Sequence, residues 1–112
     1  MVIAVDFDGT IVQDMFPEVG AVLPGAAKTL RRLHEAGHTI IIWTCRRDER
    51  LKEAICCLMR EEIPYSRVNS NADEVVKAYG GDTRKICADM YIDDKNFGGV
   101  DWEAIYRHFF TD

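Results

Sequence analysis

The sequence predicts an α/β domain in which helices cover both faces of a parallel β-sheet. Short apolar runs typical of buried strands alternate with longer runs that have the periodicity of amphipathic helices. No linker, repeat or low-complexity tract interrupts the 112 residues, a length typical of one domain. We therefore expect residues 1–112 to form a single unit.

The first part of the chain predicts a strand, a loop and a helix, followed by a second strand. Residues 2–6 are a continuous apolar run rich in β-branched side chains, as in a strand buried on both faces. The glycines and prolines of residues 9–24 predict a loop with a small hairpin or flap. A helix is expected from about Pro24 until Gly37, because glycine commonly follows a helix end. Residues 38–44 then form a second buried strand.

The rest of the chain continues the alternation of helices and strands. Expected here are a helix capped by Asp48 and ended by Pro64, a strand at 65–68, a helix at 72–79, a strand at 86–92 and a last helix capped by Asp101. The apolar stripe of the helix before Pro64 is predicted to contain Leu51, Ile55, Leu58 and Met59.

The composition argues against several classes of protein. A net charge of −5 is unusual for a dedicated nucleic-acid binder. Nothing approaches the roughly 20 apolar residues that span a bilayer, so no membrane partner is expected. The N-terminus lacks the basic region of a secretory signal, which predicts a cytoplasmic protein. The four cysteines have no CxxC spacing, and Cys56 and Cys57 are expected to be buried free thiols.

Unusual polar residues follow the predicted strands. Asp6 and Asp8 follow the first strand, Thr44 the second, and Asp93 and Asp94 the last. Because ligands of parallel sheets bind beyond the carboxyl ends of the strands, we expect these side chains to form one site.

Asp6 and Asp8 are the strongest indication of chemistry. In extended geometry they point the same way, and two close carboxylates are costly to desolvate without a cation. A calcium loop starting at Asp6 would need Gly and Glu where the chain has Ile11 and Pro17, so that interpretation fails.

These segments resemble motifs of a known superfamily. "DFDGT", "IIIWT" and "YIDD" are similar, in this order, to motifs I, II and IV of the haloacid dehalogenase-like (HAD) phosphohydrolases. The resemblance spans nearly the whole chain and is closest to small capless bacterial or phage members. Their "ADxYIDD(R/K)NxGG" ending is similar to "ADMYIDDKNFGG" at residues 88–99. It implies a three-layer Rossmann-like (HAD-like) fold with a central parallel sheet and no cap domain.

The resemblance implies roles for the acidic residues. Asp6 would be the nucleophile and form an aspartyl-phosphate, while Asp8 would act as general acid and then as general base. Mg²⁺ would be held by Asp6, the backbone carbonyl of Asp8, and Asp93, with Asp94 as an indirect or water-mediated contact. The second aspartate favours a phosphatase over a dehalogenase, because an alkoxide leaving group needs a proton.

The resemblance also implies phosphate-binding residues. Thr44 would donate its hydroxyl to the phosphoryl oxygens, and Lys85 would neutralise them, with Lys77 and Lys95 as rivals. Arg46 either binds a substrate anion or is an ordinary surface arginine.

Nearby residues are assigned structural roles. Asn69 is expected to be a turn residue, Trp43 a core residue and Cys45 a small filler beside the pocket.

The leading hypothesis is a Mg²⁺-dependent phosphomonoesterase that acts on a phosphorylated small molecule. The alternative is a regulatory phosphoacceptor or metal-binding module with slow or no turnover, similar to a receiver domain. A nucleic-acid end phosphatase would need a basic channel, which the composition does not favour. Capless relatives often act on large substrates or use a neighbouring subunit as a lid, so a homo-oligomer is a further expectation.

Overall fold

Four strands and four helices alternate along the chain in the computed structural model, which describes residues 1–111. The strands form one parallel sheet in the order β3-β2-β1-β4. In chain order the elements are β1 (Val2–Val5), α1 (Ala26–Glu35), β2 (Thr39–Ile42), α2 (Asp48–Arg60), β3 (Arg67–Val68), α3 (Asp73–Tyr79), β4 (Met90–Ile92) and α4 (Trp102–Phe109). The predicted α/β class with a parallel, Rossmann-like sheet is confirmed.

The register of the sheet brings three strand ends to the same level. Val5, the last residue of the central strand β1, pairs with Ile42 of β2 and with Ile92 of β4. The pairing continues one step further, because the Asp6 amide donates to the Ile92 carbonyl and the Trp43 amide to the Val5 carbonyl, both at 2.9 Å. The segments that follow these strands therefore emerge side by side.

Alternating residues of β1 face different layers of the core. Ile3 and Val5 belong to the main hydrophobic cluster, which also contains the buried residues of α1, α2 and α4. Ala4 packs with Ile41 and with Ile86, which lies between α3 and β4. Right-handed crossovers explain the division, because the connection from β3 to β4 returns across the whole sheet and so covers the opposite face.

Two predicted helix boundaries are confirmed and one is wrong. The Asp101 carboxylate accepts the Ala104 amide at 3.0 Å and caps α4, and Gly37 follows α1 with a φ of 92°. Asp48 is the first residue of α2 rather than its cap. Arg47 occupies the cap position without a side-chain hydrogen bond.

The apolar stripe of α2 differs from the prediction. Met59 is 73% exposed and Cys56 is also exposed, whereas Ala54, Cys57 and Leu58 are buried. The buried side of α2 therefore passes through Cys57 rather than through Met59 and Cys56, and only one of the neighbouring thiols is buried.

The last strand is shorter than predicted. Residues 86–89 precede β4 as a loop, because the buried Asn71 side chain accepts the Cys87 amide at 2.7 Å and fixes the backbone there. Within residues 1–111, no helix combines the length and the apolar character needed to cross a membrane.

Candidate functional site

Three carboxylates meet at the carboxyl edge of the sheet. Asp6 follows β1, while Asp93 and Asp94 follow β4, and one oxygen of each lies within 4.8 Å of the others. We call these residues the acidic triad. The Thr10 hydroxyl lies 3.2 Å from both Asp6 Oδ2 and Asp94 Oδ1, and it accepts the Asp94 amide at 2.9 Å. Its single proton can serve one of the two carboxylates at a time.

The turn after β1 requires glycine at position 9. Gly9 has a φ of 85°, and a Cβ there would collide with the Asp94 carboxylate. The same loop is fixed from behind, where Trp102 Nε1 donates to the Thr10 carbonyl at 2.7 Å. The loop after β1 can therefore approach the loop after β4 this closely only because residue 9 has no side chain.

The charges of the acidic triad oppose one another. The pKa of Asp6 is raised from 3.8 to about 7 by burial, by the charge of Asp93 and by a hydrogen bond with Asp94. Burial also acts to raise the pKa of Asp94, but hydrogen bonds with Asp6 and Asp93 and the charge of Lys95 outweigh it and lower the value. A metal ion would relieve the same repulsion, so these residues fit a cation.

The acidic triad contains Asp6 and Asp93, the two carboxylates of the predicted metal site, together with Asp94. Asp94, expected as an indirect contact, contributes an oxygen to the triad directly. The Asp8 carboxylate lies outside the triad and pairs with Arg46, with Arg46 Nε 2.7 Å from Asp8 Oδ2 and Nη2 2.8 Å from Oδ1.

Arg46 is not a surface arginine, which corrects that expectation, and its hydrogen bonds within the protein compete with the expected binding of a substrate anion. Its side chain is only 1% exposed, and its five N–H groups all have acceptors. The hydrogen bond to Asp8 raises the pKa of Arg46, although burial acts in the opposite direction, so the guanidinium remains charged.

A cleft of about 440 Å³ contains most of the predicted site. It is lined by Asp6, Asp8, Thr44, Arg46, Asp93 and Asp94, together with Asp14, Phe16, Cys45 and Lys95. The Thr44 hydroxyl accepts the Arg46 amide at 3.1 Å. Cys45 lies beside the pocket as expected, but its side chain is exposed and does not fill the core, which corrects its expected role as a small filler.

A second cavity of about 220 Å³ contains Lys85. Asp6 and Asp93 line both cavities, so Asp6 lies where they meet. Lys95 lines the cleft instead, 3.6 Å from the Asp94 carboxylate, and Lys77 lines neither cavity. The structure therefore brings two of the three candidate lysines to the site.

Trp43 packs against the cluster of Ala4, Ile41 and Ile86 at the edge of the core, in part as the sequence predicts. It is half-buried and lines the second cavity, with its ring 5.8 Å from that of Tyr91.

A search of solved structures finds a conserved protein coded by a locus of Bacteroides thetaiotaomicron. It is 40% identical to this chain with a TM-score of 0.86, and the match covers 97% of this chain and 88% of that one. This chain belongs to the family of that protein. Searches of protein-family models and of curated proteins find no match. Kinship with the Bacteroides protein supports the fold, and the function has to be argued from the site.

The roles of two positioning residues near the cleft were not predicted from the sequence. Asn69 holds the Thr44 peptide from both sides, accepting its amide at 2.8 Å and donating to its carbonyl at 2.9 Å. Thr10 contacts two carboxylates of the triad. The position of Thr10 inside "DFDGT" could have indicated its role, whereas Asn69 has the residue type of an ordinary turn.

A third missed residue supports the loop that carries Lys85. Asn71 is fully buried, and its amide donates to the Asp82 carboxylate at 2.9 Å and accepts the Cys87 amide at 2.7 Å. No pattern in the sequence distinguishes this buried asparagine from a solvated one.

Proposed function

We propose that this protein is a Mg²⁺-dependent phosphomonoesterase that acts through an aspartyl-phosphate on Asp6. One observation carries the proposal: Asp6 follows the central strand, belongs to the acidic triad and lies where the Thr44 cleft meets the Lys85 cavity. This convergence supports the reaction class that the HAD resemblance implies. The substrate class is a phosphorylated small molecule.

The side chains suit a two-step displacement. A carboxylate oxygen of Asp6 attacks phosphorus, and the departing oxygen takes a proton from Asp8. Asp8 then takes a proton from the water that attacks the phosphoenzyme, which releases inorganic phosphate and restores Asp6. Thr44 and Lys85, from the two cavities, donate hydrogen bonds to the phosphoryl oxygens. Bound Mg²⁺, held by the acidic triad, would neutralise charge on the phosphate and the nucleophile.

Hydrolysis of p-nitrophenyl phosphate tests the proposal. We expect Mg²⁺-dependent release of nitrophenol that EDTA abolishes and no turnover in Asp6→Asn. In Asp8→Asn we expect a loss of kcat of roughly 10²-fold or more, because this variant lacks the base for hydrolysis of the phosphoenzyme. Asp14→Asn is the matched control, because it removes an exposed carboxylate that lines the same cleft outside the triad. Turnover that survives Asp6→Asn would refute the mechanism.

The pairing of Asp8 favours one second candidate, a phosphoacceptor module with slow turnover. Both carboxylate oxygens of Asp8 accept hydrogen bonds from Arg46. Transfer of a proton from water to Asp8, which hydrolysis of the phosphoenzyme requires, competes with these bonds. Incubation with acetyl phosphate and Mg²⁺, followed by mass spectrometry, separates the candidates. A lasting phosphoryl group on Asp6 without release of phosphate would support the module, and rapid release would support the phosphatase.

A further inference from the structure

Arg46 is a buried cation whose hydrogen-bonding capacity is used up. The guanidinium donates to both oxygens of Asp8, to the Pro17 and Glu18 carbonyls at 3.2 and 2.8 Å, and to the Arg50 carbonyl at 3.1 Å. These contacts use all five N–H groups of an arginine. A substrate phosphate could bind Arg46 only by displacing one of these acceptors.

The geometry of the pair fixes the orientation of the Asp8 carboxylate. Two parallel N–H···O bonds from a planar guanidinium fit a carboxylate in one orientation, which a single point charge cannot impose. Rotation of the Asp8 side chain away from Arg46 would leave a buried guanidinium without two of its acceptors. Asp8 itself remains reachable from the cleft, with 17% of its side chain exposed.

The same guanidinium also holds the loop that forms one side of the cleft. We call residues 13–21 the flap, because the Val12 and Val22 bridge closes its base. Arg46 donates to two flap carbonyls, and its guanidinium carbon lies 5.1 Å from the centre of the Phe16 ring. Phe16 is exposed and lines the cleft. Because Arg46 contacts both the flap and Asp8, the position of the flap and the orientation of Asp8 depend on the same side chain.

We infer that Arg46 is the positioning residue of Asp8, holding the acid/base carboxylate in register with the flap over the leaving-group side of the cleft. The inference rests on the proposed phosphomonoesterase function. Arg46 acts through Asp8 and makes no contact with the phosphoryl group. Its loss therefore impairs proton transfer to the leaving group rather than binding of phosphate.

The dependence on the leaving group distinguishes this role from a merely structural one. Nitrophenolate is a stable anion that departs with little help from an acid, whereas the alkoxide of glycerol 2-phosphate requires a proton. We expect Arg46→Gln to lower kcat/KM for glycerol 2-phosphate at least about tenfold more than kcat/KM for p-nitrophenyl phosphate. The ratio kcat/KM reports the step that expels the leaving group and excludes the later hydrolysis of the phosphoenzyme, which both substrates share. Arg47→Gln is the matched control, since the neighbouring arginine is 87% exposed.

A double-mutant cycle completes the test. If Arg46 acts through Asp8, adding Arg46→Gln to Asp8→Asn should cause no further loss of kcat/KM for glycerol 2-phosphate. Arg46→Lys serves if Arg46→Gln does not fold. It keeps the charge without the two-pronged contact and should show the same preference for the aryl substrate in weaker form.

Three outcomes would overturn the inference. They are equal losses of kcat/KM for both substrates, a double variant whose loss is the product of the two single losses, or an Arg46 variant as active as Arg47→Gln. These outcomes are distinct from failure of the proposed function, in which the wild-type protein hydrolyses neither substrate.

Discussion

Replacing Asp6 by Asn should stabilise the metal-free protein, because the fold disfavours the ionised form of this carboxylate. The pKa of Asp6 is about 7 in the folded chain against an ordinary value of 3.8. Between these values the folded state holds more protons than the unfolded state. The contribution of Asp6 to the free energy of unfolding therefore falls as the pH rises from about 4 to about 7 and is constant above pH 7.

The size of the effect follows from the shift. About 3 pKa units correspond to about 4 kcal/mol at most. Asp6 is only partly buried, so solvent screening reduces this to about 2 kcal/mol. Asparagine has no charge to lose or gain, and its side-chain oxygen can still accept the Thr10 hydroxyl that lies 3.2 Å from Asp6.

Urea unfolding in EDTA measures the difference. We expect Asp6→Asn to exceed the wild type by about 2 kcal/mol near pH 8 and by about 1 kcal/mol near pH 5. Asp14→Asn, at an exposed position on the flap, controls for the change in net charge. Equal stabilities of wild type and Asp6→Asn near pH 8, after subtraction of the control, would refute the argument that the triad opposes ionisation of Asp6.

Three further results follow from the contacts around the triad. Mg²⁺ at about 100 times its dissociation constant should add about 2.7 kcal/mol to the stability of the wild type and less to that of Asp94→Asn, as measured by thermal unfolding; equal gains would exclude Asp94 as a ligand. Gly9→Ala should cost more than the roughly 1–2 kcal/mol of a left-handed alanine, because the new methyl group meets Asp94. Gly37→Ala, with a similar φ and open space around it, is the matched control in urea unfolding, and an equal cost would contradict the close approach. Asn69→Ala should leave the Thr44 amide without its acceptor and accelerate its hydrogen exchange, measured by NMR against the wild type, whereas an unchanged rate would show that Asn69 does not hold this peptide.

The general position of the site was predictable from sequence because strand ends in parallel sheets share one edge. Asp6 follows a continuous apolar, β-branched run and Asp93 follows the shorter apolar run Met-Tyr-Ile, and the sheet rule then brings the two strand ends together. The rule predicts that the strand ends lie close together, but it does not predict which side chains pair with each other. The rule groups Asp8 with Asp6, and the HAD resemblance makes Asp94 an indirect contact. In the structure the Asp8 carboxylate pairs with Arg46, and an Asp94 oxygen belongs to the triad.

The pairing of Asp8 with Arg46 was not predictable for a physical reason. The residues are 38 positions apart, and the other acceptors of Arg46 are backbone carbonyls, which every residue possesses. An arginine before a helix therefore looks solvated in the sequence. The roles of Asn69 and Asn71 were not predictable for the same reason. An asparagine in the sequence shows that a side-chain amide is present, but not which backbone group it binds.

The choice of the phosphate-binding lysine shows how sequence and structure constrain each other. The HAD resemblance implies Lys85, which matches the lysine of "K-x-x-A-D" in similar sequences, and the structure puts Lys85 and Lys95 in different cavities that share Asp6. Lys95 lies 3.6 Å from the Asp94 carboxylate, so part of its charge is already balanced there. Lys85 forms no ion pair within residues 1–111, and its Nζ lies 5.9 Å from the centre of the Tyr91 ring. Among the described residues, Lys85 has no carboxylate partner to leave before it contacts a phosphoryl group, and this favours Lys85 independently of the resemblance.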